Sequence, residues 1–190
     1  MVKTPLQSVY DTATQRIVGR LTKDIDLFRG IKAICREHSV TAAHFQCIGS
    51  LQSGSYVQVE RDGTQGRIKY SAKKQAHSPV ELLSATGFVG FDEQGNPDIH
   101  MHGVFVDCDS VISGGHFLED ENPVAVTIEY IIFPVKGVEM QRKEDEIWGM
   151  PVSMKKNATC VPLPAPRGPR SINRMASLIG WLCNVGRGRF

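Results

Sequence analysis

The sequence lacks any long hydrophobic run. No apolar stretch approaches the roughly 20 residues that a membrane-spanning helix needs. The N-terminal stretch MVKTPLQSVYDTATQ has no apolar segment of the kind that secretory signal peptides carry. These absences argue against an integral membrane protein and against a secreted one. We therefore expect a soluble, cytoplasmic protein with no membrane partner.

Cysteine is sparse and irregularly spaced. The chain of 190 residues contains five cysteines, an odd number, and no Cys-x-x-Cys pair. This pattern argues against a disulfide framework and gives no support to a structural zinc site built on thiolates. A chain of this length can bury a hydrophobic core without covalent cross-links, so we expect reduced thiols.

The common short catalytic motifs are missing as well. The sequence has no Gly-x-Ser-x-Gly, no P-loop, and no Gly-x-Gly-x-x-Gly that opens a helix. A nucleophile elbow and the familiar nucleotide-binding loops are therefore not predicted. Any enzymatic chemistry would have to come from another group of residues.

Acidic residues are absent from the C-terminal part of the chain. All 20 Asp and Glu residues lie at or before Glu146, whereas seven Lys and Arg residues follow from position 155 onward. The body, with 15 basic residues, therefore has a net charge of −5, and the tail has a charge of +7. Such a tail is typical of chains that bind polyanions, and equally of solvated tails that bind nothing specific.

A change of composition accompanies the change of charge. Residues 160–170, CVPLPAPRGPR, hold four prolines and are incompatible with a helix or a central strand. Residues 172–185 have the apolar spacing of a short amphipathic helix. We predict a domain over 1–150 and a basic, Pro/Arg-rich tail over 151–190. The tail residues predicted to contact nucleic acid are Arg167, Arg170, Arg187 and Arg189.

One helix is predicted from the periodicity of its apolar residues. In residues 24–38, DIDLFRGIKAICREH, the apolar side chains recur at helical spacing and form one stripe. Asp24 is predicted as the N-cap, and Asp26 lies in the first turn, where the helix dipole favours a carboxylate. Gly30 costs about 1 kcal/mol against alanine inside a helix, so we expect a close packing contact there.

The rest of the body has the pattern of short strands separated by glycines and polar turns. Residues 124–133, VAVTIEYIIF, are β-branched and aromatic and give the strongest strand prediction. One main helix among many strands indicates an α+β (α/β) domain with a largely antiparallel sheet. Further strands are predicted at 44–50, 55–60, 67–72, 80–91, 99–106 and 111–117.

Three of the six histidines fall within seventeen residues, HMHGVFVDCDSVISGGH, at 100–116. Side chains alternate between the faces of a strand, so His100 and His102 should point the same way. If the turn DCDS pairs Val106 with Val111, an unbroken ladder places His116 on the opposite face. A β-bulge at Gly114-Gly115 would bring His116 opposite His102, and paired glycines in a strand are a usual sign of a bulge.

Three neutral imidazoles in a partly buried pocket suit zinc or another borderline divalent metal ion. Three protein ligands leave a fourth position for water, for a substrate, or for a ligand from a neighbouring subunit. Glu81 and Glu129 are predicted as outer carboxylates that orient the ring N–H groups. The alternative is that the three histidines are unrelated surface and packing residues.

The order of these motifs resembles the plants-and-prokaryotes conserved (PPC) domain. HMHGVFVDCDSVISGGHFLED is similar to its signature of His-x-His, an Asp-containing turn and Gly-Gly-His-Leu. The resemblance spans about residues 10 to 135. The chain departs from the family pattern at Ser78-Pro79-Val80, where an arginine is lost, and at Asp24-Ile25. Further similar segments are FQCIGSL at 45–51, VELLSATG at 80–87 and VTIEYII at 126–132.

The resemblance implies a domain that assembles as a homotrimer, with His100, His102 and His116 as metal ligands. Plant relatives join this domain to an AT-hook, an Arg-Gly-Arg arm that enters the minor groove, and prokaryotic members are commonly labelled DNA-binding. APRGPR at 165–170 and GRGRF at 186–190 are loosely similar to that arm. The implied partners are other copies of the chain, and DNA through the basic tail.

Two other functions stay open at this point. A zinc-dependent, hydrolase-like enzyme could act on an unidentified small molecule at the three histidines, with Glu81 or Asp107 as general base. Alternatively, the assembly itself is the function and the metal only supports it. The tail segment SLIGWL could also dock on another subunit and act as an assembly arm.

Overall fold

The computed structural model describes residues 6–63 and 68–144, together with the backbone of residues 151–157. This part of the chain forms one helix, α1 (Leu27–Glu37), and thirteen strands, which confirms the α+β prediction with a largely antiparallel sheet. The strands are β1 (Leu6–Asp11), β2 (Arg16–Thr22), β3 (Ala43–Leu51), β4 (Ser55–Val57), β5 (Val59–Arg61), β6 (Ile68–Tyr70), β7 (Lys74–Gln75), β8 (Val80–Phe91), β9 (Pro97–Val106), β10 (Ile112–Phe117), β11 (Val124–Pro134), β12 (Val138–Glu144) and β13 (Pro151–Asn157).

The N-cap of the helix lies two residues later than predicted. Asp26, not Asp24, is the N-cap: its backbone is extended, and its Oδ1 accepts hydrogen bonds from the backbone N–H groups of Phe28 (3.0 Å) and Arg29 (3.1 Å). Asp24 lies in the left-handed region with φ 71°, outside the helix. The close contact expected at Gly30 is present, because a Cβ there would lie 2.5 Å from Cδ1 of Leu21.

The main sheet runs in the order β1-β2-β11-β3-β8-β9-β10-β4-β7, and all of these neighbours pair antiparallel. The β12–β13 hairpin joins this sheet through a parallel contact between Gln141 and Phe91 on β8. β5 and β6 form a separate two-stranded sheet. Four strands were not predicted from the sequence, namely β1, β2, β7 and β12, and β13 lies within the segment assigned to the tail.

The two faces of the main sheet differ in character. One face, here called the helix-side face, forms the hydrophobic core together with the buried stripe of α1. Fully buried side chains on it include Ile17, Phe45, Phe105 and Ile128. Alternate side chains of the same strands point to the opposite face, here called the open face. Its apolar side chains are partly exposed and include Val9, Val18, Ile48, Phe88 and Val104.

The tail predictions cannot be placed on this framework. The helix predicted at 172–185 and the four tail arginines lie outside the described residues. Within the described part of the chain, no helix has both the length and the apolar character that a bilayer crossing requires.

Candidate metal centre

Strand β9 presents two of the three histidines on the open face. Met101 and Phe105 are about 1% exposed on the helix-side face, whereas His100 is half-buried and His102 exposed on the other. Alternation along a pleated strand causes this division. The prediction that His100 and His102 share a face is therefore confirmed.

The third histidine reaches them through the register of β9 and β10. His116 pairs directly with His102, as predicted. The predicted bulge at Gly114-Gly115 is wrong, because the ladder from Ile112–Val106 to His116–His102 has no shift in register. The residue that the bulge was meant to accommodate is Val111, which belongs to the turn, so that Ile112 and not Val111 pairs with Val106.

The turn that sets this register spans Asp107 to Val111. The backbone N–H of Asp107 donates to the carbonyl of Val111 (3.1 Å), and that of Ser110 donates to the carbonyl of Asp107 (3.1 Å). Ser110 adopts φ 63°, and Oδ1 of Asp107 accepts from the N–H groups of Asp109 (3.0 Å) and Val111 (2.9 Å). Asp107 therefore stabilises the turn, as an Asx turn does.

The glycine pair serves close strand approach. A Cβ at Gly114 would collide with the carbonyl oxygen of Gly103 on β9, and one at Gly115 would meet the carbonyl of Val57 on β4 at 2.4 Å. Larger residues would push β10 away from one neighbour or the other. The pair thus keeps β10 between its two partner strands, with His116 beside His102.

The three imidazoles form one compact group. One ring nitrogen from each of His100, His102 and His116 lies within 4.8 Å of the others. Their ring centroids are 5.0 to 5.3 Å apart, and Nε2 of His100 is 3.0 Å from Nε2 of His102. Two nitrogens bound tetrahedrally at about 2.0 to 2.1 Å from one ion would be roughly 3.3 to 3.4 Å apart. The group is therefore close to chelating dimensions.

The surroundings favour the neutral form of these rings. Burial lowers the pKa of His116 to about 3 and that of His100 to about 4, and the positive charge of Arg142 acts in the same direction. Burial and Arg142 also lower the pKa of His102. Neutral imidazole is the form that coordinates a metal ion. In addition, Nδ1 of His116 is buried without a hydrogen-bond partner among the described residues.

Two neighbours of the histidines were missed by the sequence reasoning. Asp98 precedes His100 by two positions on β9, so alternation could have placed it on the same face. Arg142 on β12 approaches Asp98 with 3.6 Å between Nη1 and Oδ2. No local pattern links Arg142 to the histidines, because the contact depends on where β12 crosses β8.

The predicted outer carboxylates lie elsewhere in the sheet. Glu81 pairs with Val106, four residues and roughly 13 Å along β9 from His102. Glu129 is on β11, which β3 and β8 separate from β9 by about 14 Å. The structure therefore does not bring Glu81 or Glu129 to the three histidines. Asp98 is the carboxylate found beside them.

Comparison with known proteins places this fold and site in a family. The Plants and Prokaryotes Conserved (PCC) domain matches residues 9–136. No curated protein matches the chain. The matched region, residues 9–136, contains all three histidines and ends before Arg142.

Solved structures share the fold at low sequence identity. A plant- and prokaryote-conserved (PPC) protein from Pyrococcus horikoshii is 20% identical to this chain, with a TM-score of 0.63. The match covers 83% of this chain and 99% of that protein. A metal-containing protein from Archaeoglobus fulgidus is 24% identical with a TM-score of 0.62, covering 80% and 99% of the two chains. A protein from Ralstonia eutropha described as a "Putative DNA-binding protein" is 21% identical with a TM-score of 0.62, covering 80% and 97%.

Proposed function

The chain belongs to the Plants and Prokaryotes Conserved domain family, and on that premise we propose that it is a metal-binding protein that forms a homotrimer and associates with DNA. The observation that carries the proposal is the convergence of ring nitrogens from His100, His102 and His116 within 4.8 Å. The three parts of the proposal rest on different regions of the chain and are tested separately.

The donor set fits zinc or another borderline divalent ion. Three neutral imidazoles are typical ligands of such ions. Nδ1 of the half-buried His116 is itself buried without a hydrogen-bond partner among the described residues, which leaves it available to coordinate. The Archaeoglobus protein with the same fold is described as metal-containing. A bound ion of this kind would supply Lewis-acid polarisation of an oxygen ligand.

Metal analysis of the purified protein tests this part. We expect about one equivalent of divalent metal per chain for the wild type and a large loss in His116→Ala. His38→Ala is the matched control, since His38 bonds to Ser8 Oγ (2.8 Å) away from the site. Equal metal content in all three proteins would contradict the proposed centre.

Homotrimer formation is supported by the open face. Val18 is 48% exposed and Ile48 53% exposed on adjacent parts of this face, and exposed apolar patches on a stable sheet are typical of interaction sites. Other copies of the chain, docked on the open face, would cover these residues. A subunit docked there would also lie close to the histidines, which share this face, and could provide a fourth ligand.

The mass of the protein in solution tests the assembly. We expect three chains per particle by light scattering for the wild type and a shift to single chains in Ile48→Glu. Val59→Glu is the control, because Val59 is 56% exposed but lies on the separate β5–β6 sheet. A wild-type monomer would rule out the trimer, and equal effects of the two substitutions would remove the open face as its basis.

DNA association is assigned to the basic tail. The body has a net charge of −5 and the tail +7, so the tail is the region suited to phosphate contacts. The Ralstonia protein of the same fold is described as a "Putative DNA-binding protein", which supports DNA association but does not indicate which region binds. Binding of this kind is weakly sequence-dependent and falls steeply with salt.

Replacing Arg167, Arg170, Arg187 and Arg189 by serine in the full-length chain tests the tail. Each lost phosphate contact should reduce the slope of log affinity against log salt by about 0.9. A truncation should begin after residue 158, since β13 runs to Asn157 and pairs with β12. Unchanged DNA affinity in the fourfold variant would contradict the assignment.

A hydrolytic function gains no support from the described residues. Glu81 is distant from the histidines, and Asp107 is engaged in its own turn. Asp98 lies beside the histidines but faces Arg142.

A further inference from the structure

Strand β12 lies against the open face next to the three histidines. Gly90 on β8 pairs with Asp98, and Phe88 pairs with His100. A Cβ at Gly90 would lie 2.5 Å from the carbonyl oxygen of Met140 and 2.9 Å from its Cβ. The absence of a side chain at Gly90 therefore permits β12 to approach this edge of the site.

This approach places Arg142 beside the histidine group. Asp98, His100 and Arg142 border one narrow gap where β8, β9 and β12 meet. The side chain of Arg142 is 16% exposed, and its Nε is buried without a hydrogen-bond partner among the described residues. Its separation of 3.6 Å from Asp98 exceeds the 2.7 to 3.2 Å of a direct N–H···O bond. Asp98 therefore makes no direct hydrogen bond to the guanidinium, and the Nε–H donor has no partner among the described residues.

A charge imbalance points to the type of ligand that would use these donors. Three neutral imidazoles do not offset the two charges of a divalent ion, and the charges of Arg142 and Asp98 cancel one another. The half-buried site would therefore keep an excess of positive charge when it holds metal. The planar fork of a guanidinium matches the two oxygens of a carboxylate.

We propose that Arg142 makes this centre a receptor for a small carboxylate, held between the guanidinium and the metal ion that His100, His102 and His116 would bind. This inference rests on the proposed metal centre and adds its ligand class. Arg142, on β12, lies beyond residues 9–136, the part of the chain that the family description matches.

Acetate binding to the cobalt(II)-loaded full-length protein tests the inference. Binding is followed by the visible absorption of cobalt and by calorimetry. We expect acetate affinity to fall at least tenfold in Arg142→Gln, with cobalt affinity retained, and to lie between the two values in Arg142→Lys. Lys143→Gln is the matched control, because it removes the same charge from the next, exposed position of β12.

A second variant acts on position and leaves the arginine in place. Gly90→Val should lower acetate affinity as Arg142→Gln does, because its side chain would push Met140 and β12 outward. Equal acetate affinity in Arg142→Gln and the wild type, with cobalt bound in both, would overturn the inference and leave the metal centre intact. Failure of the wild type to take up cobalt would overturn the metal centre and this inference together.

Discussion

The two faces of strand β9 show how one stretch of chain serves stability and binding at once. Met101 and Phe105 point to the helix side and are about 1% exposed, whereas His100 and His102 on the same strand point to the open face. Burial on one face fixes the strand, and the fixed strand then holds the imidazoles on the other. A change on the helix-side face should therefore affect stability first, and a change on the open face should affect binding first.

The largest expected effect is at Phe105. Its ring packs edge-on against Tyr56 and Phe117, with centroids 5.6 and 6.1 Å away. Phe105→Ala should lower the free energy of unfolding by about 3 to 5 kcal/mol, because it removes a large buried ring and leaves a cavity. Urea denaturation measures this. Val104→Ala, on the opposite face of the same strand, should cost less than about 1 kcal/mol, and similar losses would refute the contrast between the faces.

A smaller effect is expected at His102, and only when metal is present. Zinc at one hundred times its dissociation constant should stabilise the wild type by about 2.7 kcal/mol, whereas His102→Ala should gain almost nothing. Without metal the two proteins should melt at similar temperatures, since His102 is exposed. His44→Ala is the control, because His44 bonds to Thr86 (2.7 Å) on the same face. Zinc stabilisation of His102→Ala equal to the wild type would exclude its role as ligand.

The smallest effect is expected where α1 is joined to the loop after β10. Arg29 contacts Asp120 through two hydrogen bonds (2.5 and 2.9 Å), which hold the pKa of Asp120 below its usual value. Both side chains are about half exposed or more, so Asp120→Asn should cost less than about 1 kcal/mol at pH 7.

The pH dependence of that cost has a definite sign. A lowered pKa in the folded state stabilises the protein above the unfolded value of about 3.9, and this stabilisation disappears as pH falls through the folded pKa. The wild type and Asp120→Asn should therefore converge in stability toward pH 2. A difference that grew with acidity would contradict the ion pair as its source.

Local periodicity was sufficient to predict several parts of the fold and the site. The alternation of His100 and His102 depends only on the two-residue period of a strand, and the α1 stripe only on helical spacing. The pairing of His116 with His102 was predicted correctly, but for the wrong reason. Counting from a four-residue turn required a bulge, whereas the turn itself takes in Val111 through the left-handed Ser110.

The order of the strands in the sheet, and the contacts between distant strands, could not be predicted from the sequence. Glu81 and Glu129 were chosen by residue type, and their distance from the histidines follows from the strand order β11-β3-β8-β9. Arg142 carries no local signal, since its position depends on the crossing of β12 over Gly90. Similarly, β1 and β2 are ordered by pairing with each other and with β11, which no short window reveals.

If the proposed metal centre binds a carboxylate as inferred above, the position of the β12–β13 hairpin makes metal retention and ligand choice separable traits. The histidines lie on strands that also build the core, so folding fixes the positions of their imidazoles. The hairpin follows the last core strand and meets β8 mainly near Gly90. Substitution or exchange of these twenty or so residues (about 138–157) would then change ligand selectivity while the three imidazoles stay in place, much as interchangeable loops diversify a fixed scaffold.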